Sequence, residues 1–183
     1  MPVSKAIGSR FNIESSQEAK EYYHFVQDLL ENDVVCKMKD YRHHYSTTCY
    51  QHCLNVSYYN YLICRKLGLD SRKAARAGML HDLFLYDWRE RPHVKGEKRH
   101  GFSHPQTALD NAKNNFDISR REEDMILTHM WPLTISKLPR YAESYVIVVT
   151  DKYAAMLEIG QHVKGKVKNL GRKAKNKAMK IAS

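Results

Sequence analysis

Six side chains in this chain are of the types that hold divalent metals: His52, His81, Asp82, His104, His129 and Asp151. Their settings separate them from the rest of the ten histidines and 20 acidic residues. His81-Asp82 follows the run Ala77-Gly78-Met79-Leu80 and precedes Leu83-Phe84-Leu85. Asp151 lies inside the apolar stretch Val146–Met156. An ionised Asp in such a setting is costly unless something compensates it. His52 stands among Tyr50, Leu54 and Val56, while His104 and His129 fall near expected helix ends. Taken singly, each has a bland reading: a core His is usually hydrogen-bonded and structural, and a lone Asp caps a helix or pairs with a cation. Taken together, four imidazoles and two carboxylates spread over four or five helices are what a helical bundle needs to hold metal between its helices. Neutral imidazole and carboxylate suit Fe, Mn, Zn, Co or Ni.

The elements that must position these groups read as helices. Ser15 and Glu18 have capping-box spacing before Tyr22, Val26, Leu29 and Leu30. A second helix runs from about Ser46 to Leu67, with Tyr50, Leu54, Tyr58, Tyr61 and Leu62 at three- and four-residue steps. Gly68 marks a turn. Asp70 or Ser71 then caps an Ala- and Leu-rich helix reading Lys73 to Asp82. A basic loop follows, about Leu85 to Phe102. Ser103 opens a helix to about Phe116, with Pro105 in its first turn. Ser119 and Glu122 form a second capping box before a helix ending near Met130. The last body helix runs from Tyr141 to Ile159. Its Val146-Ile147-Val148-Val149 is β-branched and compatible with a strand, but the apolar pattern continues through Leu157, so length favours a helix. The expected fold class is all-α, a bundle of about five core helices.

Composition narrows the classes. The 183 residues suit one domain. With 43% hydrophobic residues and only eight Gly and five Pro, the chain is neither disordered nor collagen-like. No apolar run reaches the roughly 18–20 residues a membrane-spanning helix needs. The first ten residues lack the apolar core of a secretory signal. Cys36, Cys49, Cys53 and Cys64 form no CxxC pair, and reduced thiols in a cytoplasmic protein are expected. The net charge is +10, and eight of the 30 Lys/Arg fall in residues 160–183, which hold no acid; the body is left with 22 basic against 20 acidic residues. Basicity is a property of this tail, and a global nucleic-acid surface is not implied. The expected organisation is a helical domain over 1–159 and a basic C-terminal tail over 160–183.

The order His52, His81-Asp82, Asp151, in the contexts Tyr50-Gln51-His52-Cys53, Met79-Leu80-His81-Asp82-Leu83 and Val149-Thr150-Asp151-Lys152, resembles the HD-domain superfamily of metal-dependent phosphohydrolases. The resemblance covers about residues 45–157. It implies that these four residues surround one metal. His104 and His129, in Phe102-Ser103-His104-Pro105 and Leu127-Thr128-His129-Met130, occupy the places of two further histidines found in a two-metal subset. By that analogy Asp82 bridges the metals and holds the nucleophilic water, and the activity is hydrolysis of a phosphoester or phosphoanhydride. A nucleotide or another small phosphorylated metabolite is the implied substrate class. No P-loop or GxGxxG is present.

Phosphate recognition calls for cations. Lys152, next to Asp151, and the loop residues Arg89, Arg91, Lys95, Lys98 and Arg99 are candidates; solvated loop charge is the bland alternative. His44, more than Arg42 or His43, is expected at the pocket mouth. His24, His93, His100 and His162 match no motif and read as surface residues. The tail repeats Val163, Val167, Leu170, Ala174, Ala178 and Ile181 at helical spacing among its cations. It reads either as a basic amphipathic segment able to touch nucleic acid or an anionic membrane, or as a solvated terminus. Two rivals to hydrolysis remain at this stage. One is a di-iron oxygenase on the same ligands. The other is a non-enzymatic, metal-stabilised binding module that uses the tail.

Overall fold

The structure is a computed structural model, and the residues it describes are 5–9, 16–43, 45, 47–90 and 99–181. Among them are seven α-helices and no strand: α1 (Gln17–Leu30), α2 (Asp33–Cys36), α3 (Cys49–Lys66), α4 (Ser71–Leu80), α5 (His100–Asn115), α6 (Arg120–Thr128) and α7 (Ala142–Ile181). The all-α expectation is borne out. No helix among the described residues is long and apolar enough to cross a membrane.

Local chemistry sets most boundaries. Ser16 caps α1, its hydroxyl accepting the Ala19 N–H at 3.3 Å; Ser15 lies outside the described residues. Thr48 caps α3 and Asp70 caps α4. Gly68 takes φ +68° in the α3–α4 turn, where a side chain would be strained. Ser119 and Glu122 close the capping box of α6. The two largest boundary differences from expectation lie in α5 and α7. Helix α5 opens at His100, not Ser103, so Pro105 sits in its second turn and denies the Gly101 carbonyl its helical donor. Helix α7 does not stop at Ile159 but continues unbroken to Ile181.

Helix α3 is the central rod. It is buried almost all round, as a helix enclosed by others must be, and it packs chiefly on α4 and α7. Its buried polar groups are used to tie the neighbours together. Ser57 donates to the Ala75 carbonyl of α4 at 2.7 Å and accepts from Tyr22 of α1 at 2.9 Å. Asn60 accepts from Thr150 of α7 at 2.5 Å, and Asn55 donates to Glu158 of α7 at 2.8 Å. Tyr22, Tyr58 and Tyr61 fill the space between α1 and α3 as core aromatics. All four cysteines are free.

The α3–α4 approach depends on Gly78. A Cβ there would lie 2.6 Å from Ser57 Cα and 2.8 Å from Ser57 N, both backbone atoms that cannot turn aside. Gly78 stands three residues before His81, so this contact also sets how near His81 comes to α3. Gly78→Ala is expected to destabilise the fold by about 2–3 kcal/mol, overpacking outweighing the gain of about 1 kcal/mol in helix propensity. For a chain of this size that lowers Tm by roughly 5–10 °C. A melt that matches the wild type would show that the two backbones are not in contact.

Candidate metal centre

The six side chains singled out by sequence come together where α3, α4, α5, α6 and α7 converge. His81 and Asp82 lie in the turn that ends α4, anchored by fully buried Leu80, Leu83 and Phe84. Cys49 donates to the Asp82 carbonyl at 3.2 Å, and Asn111 to the Leu83 carbonyl at 2.7 Å. The apolar residues flanking the pair are therefore its mount. They fix a charged side chain where solvent would otherwise let it roam.

Three histidines share one device. His81 Nδ1 donates to the Gly78 carbonyl, His104 Nδ1 to the His100 carbonyl and His129 Nδ1 to the Ile126 carbonyl, each at 2.8 Å. In the neutral ring, a bonded Nδ1–H leaves a lone pair on Nε2. All three Nε2 atoms point to one place. His104 Nε2 is 3.2 Å and His129 Nε2 3.6 Å from Asp82 Oδ1, while His81 Nε2 is 3.6 Å from Asp82 Oδ2 and 3.8 Å from Asp151 Oδ1. His104 Nε2 and His129 Nε2 face each other at 2.8 Å. Two lone pairs at that distance repel unless positive charge stands between or beside them.

His52 is held differently. Its Nδ1 donates to Glu158 Oε1 and its Nε2 contacts Asp151 Oδ1, both at 3.0 Å. Asp151 and Glu158 are seven residues apart, two turns along the same face of α7. Glu158 thus fixes the orientation of the ring that reaches into the centre, as a carboxylate behind a metal-binding histidine does.

Positive charge is what keeps the two aspartates ionised. Burial alone would raise the pKa of Asp82, but the His81 and His104 charges and the His104 and His43 contacts hold it well below the carboxylate range. Asp151 is opposed by burial and held low by His52 and His81 in the same way. Burial disfavours the charged form of His52, yet its bonds to Asp151 and Glu158 lift its pKa well above the ordinary value. His129 is pushed down to about 3 by burial and by the neighbouring His104 and His81. Buried His81 Nε2 and Asp82 Oδ1 have no hydrogen-bond partner. Buried ring and carboxylate atoms without a hydrogen-bond partner, and imidazoles that converge Nε2-first on two carboxylates, fit a divalent ion, which would take the place of the protons. Three overlapping groups are each tight enough to hold one: His52-His81-Asp151, His81-Asp82-His129 and His43-His52-Asp82.

A cavity of about 890 Å³ opens over Asp82, His104, His129 and Asp151. Trp88, Met130, Pro132 and Leu133 form much of its apolar wall, with Arg99 and Lys152 among its lining residues. Lys152 Nζ donates to the Val148 carbonyl at 3.2 Å and the Trp131 carbonyl at 3.4 Å. Arg89 pairs with Asp87 at 3.1 Å and is not on the cavity wall. His44, Arg91 and Lys95 lie outside the described residues, as do Lys98 and His93. His43, set aside in favour of His44, is in the centre: its Nε2 is 2.8 Å from Asp82 Oδ2. His100 is not a surface residue; it stacks on Trp88 at 5.4 Å and on His104 at 4.7 Å in the cavity wall. Glu158 was also missed, although a carboxylate amid Ala154, Ala155, Leu157 and Ile159 carries the same signal as Asp82 and Asp151.

The family model for the HD domain matches residues 49–156. The chain belongs to the HD-domain family. The match runs from the start of α3 into α7, so it takes in all six convergent residues and leaves out His43 and Glu158. No curated protein and no solved structure matches the chain. The HD domain is an all-α fold, and its superfamily consists mostly of metal-dependent hydrolases. The His/Asp clusters of this HD domain are of the kind able to hold metal.

Because Glu158 acts on the centre through His52, its removal separates orientation from ligation. Glu158→Gln is expected to lower metal affinity about 10–100-fold without abolishing binding. Titration of metal into the apo-protein, with far-UV circular dichroism to confirm folding, measures this. Unchanged affinity would reduce Glu158 to a packing role.

Proposed function

We propose that this HD-domain protein is a metal-dependent phosphohydrolase that cleaves a phosphoester or phosphoanhydride of a small molecule, a nucleotide or another phosphorylated metabolite. The observation that carries this reading is the convergence of three backbone-locked imidazole Nε2 atoms on Asp82 at the floor of a cavity that Arg99 and Lys152 help to line. His52, His81, Asp82 and Asp151 would hold one ion, and Asp82, His104 and His129 a second, with Fe, Mn, Zn, Co and Ni all compatible with the donors. Bound there, such ions supply Lewis acidity toward a phosphoryl oxygen and lower the pKa of water.

The chain does the rest. The Nδ1–H bonds to backbone carbonyls keep the imidazoles in one tautomer and one orientation, so little reorganisation is needed when charge develops. Arg99 and Lys152 add positive charge near an incoming phosphoryl group. Trp88, Met130 and Pro132 exclude bulk water and strengthen these interactions.

The test is a screen for inorganic phosphate release from phosphorylated metabolites. The purified chain is stripped with chelator, then supplied in turn with Mn, Fe, Co, Ni and Mg. Release that vanishes on stripping and returns with a metal is expected. A fully metal-loaded protein that releases no phosphate, but consumes oxygen in step with substrate, would replace this reading with oxygenase chemistry.

A further inference from the structure

Helix α7 has two unlike faces. Inward it presents Ile147, Asp151, Ala154 and Glu158 to the body. On the outward side Tyr145, Val149, Tyr153, Met156 and Ile159 are exposed, Val149 by 63% and Met156 by 70%. The same line continues past the body as Val163, Val167 and Leu170, with Leu170 exposed by 66%. Steps of three and four residues keep all of them on one side of the helix. Beyond His162, which stacks on Tyr45 at 4.7 Å, every α7 side chain that is described is exposed. In the sequence the repeat runs on through Ala174, Ala178 and Ile181. An apolar line this long on a solvent-facing helix marks an interaction surface.

Charge says what covers it. Residues 160–183 carry eight cations and no acid. Helical register sets Lys164 and Lys168 on one flank of the line and Lys166 on the other, where long side chains can extend past an apolar interface to an anionic layer. A second copy paired helix to helix through α7 does not meet these cations. Helix α7 has three carboxylates, Glu143, Asp151 and Glu158, and all lie on its inward side, with side chains exposed by 1%, 16% and 0%. Parallel pairing sets cations against cations, and antiparallel pairing finds no acid on the partner helix. Nucleic acid meets the cations but leaves the apolar line uncovered. The 40-residue helix extends about 60 Å, so one flat surface can meet the entire line.

We infer that α7 is a membrane-docking helix, lying on an anionic lipid bilayer with the line from Tyr145 to Leu170 in the interface and the tail lysines among the headgroups. The inference does not rest on the proposed activity; the line borders the metal-centre cavity at Lys152, an exposed cation that interrupts it between Val149 and Met156. Two tyrosines stand at its body end, a residue type favoured at the lipid–water boundary. Affinity comes from both parts: the apolar line alone is modest, and each cation near an anionic surface adds to it.

Co-sedimentation of the full chain with vesicles tests this. Vesicles of phosphatidylcholine mixed equally with phosphatidylglycerol are expected to bind the protein at low salt, and pure phosphatidylcholine vesicles are not. Replacing Lys164, Lys166 and Lys168 by Gln should weaken binding on the order of 100-fold. Replacing Val163, Val167 and Leu170 by Ser should weaken it by at least about tenfold, with metal content and circular dichroism unchanged. Failure to bind the anionic vesicles overturns the inference. So does binding that the Ser variant retains in full, which would make the contact one of charge alone. A wild-type dimer in sedimentation velocity that the Ser variant dissociates, with no vesicle binding, would assign the line to a second copy instead.

Discussion

Asp82→Ala is expected to strip the protein of bound metal and to lower turnover by more than about 1,000-fold. The size of the effect follows from what surrounds this one carboxylate. His43, His104, His129 and His81 all place Nε2 within 2.8 to 3.6 Å of its two oxygens, and the side chain is nearly enclosed. His81 also spans the centre, with its Nε2 3.6 Å from Asp82 Oδ2 and 3.8 Å from Asp151 Oδ1, but Asp82 alone offers two anionic oxygens that face His104 and His129 as well as His43 and His81. Its removal takes away the negative charge on which these imidazoles converge, and on the proposed two-ion reading each ion would lose a shared ligand. Elemental analysis of the purified variant, with circular dichroism to confirm the fold, reads the outcome. A variant that folds and retains its full metal complement would show that Asp82 is no bridge.

His104→Ala and His129→Ala are each expected to remove about one metal equivalent and to leave the other. The two rings meet at 2.8 Å on one side of Asp82, while His52 and Asp151 lie on the other. Loss of a direct ligand should weaken the second ion by more than the roughly 10–100-fold typical of changes behind the ligands. If the proposed phosphohydrolase reading holds, turnover should fall sharply, because phosphoryl charge would then meet one Lewis acid instead of two. His129 is buried, so its variant also carries a cavity cost, and thermal melts separate that from ligand loss. If the wild type saturates at one equivalent and both variants match it in metal content and rate, these histidines are structural.

Much of the fold was legible because each signal had one strong cause. The Ser119–Glu122 box, the Asp70 cap and the turn at Gly68 depend on neighbouring residues alone. The β-branched run in α7 reads as helix because its apolar period outlasts any strand. Where α7 ends was not legible. Gly160 and Gly165 each cost about 1 kcal/mol in a helix, too little to break one already packed on the body through Ile147, Ala154 and Glu158 upstream. The start of α5 depends on how much Pro105 disturbs a helix already formed before it. That cost is one lost hydrogen bond and a local clash, not a stop.

The centre divides in the same way. His52, His81, Asp82 and Asp151 stood out because a charged or polar group in an apolar run needs a partner, and Glu158 obeys the same rule. His43 does not. It reaches Asp82 only because the His43 N–H bonds the Thr47 carbonyl and an Arg42–Thr48 bridge folds the turn back on itself. Nothing in the sequence around His43 tells that the turn sends this ring inward. His100 joins the cavity wall because α5 begins early enough to carry it, one turn ahead of His104.

The most direct measurement is an anomalous-difference map from crystals of the metal-loaded wild-type protein, recorded at the metal's absorption edge. Two peaks flanking the Asp82 carboxylate are expected, one beside His52, His81 and Asp151 and one beside His104 and His129. No peak at Asp82 in a protein carrying stoichiometric metal, or peaks only at other side chains, would contradict the assignment of these six residues as the metal centre.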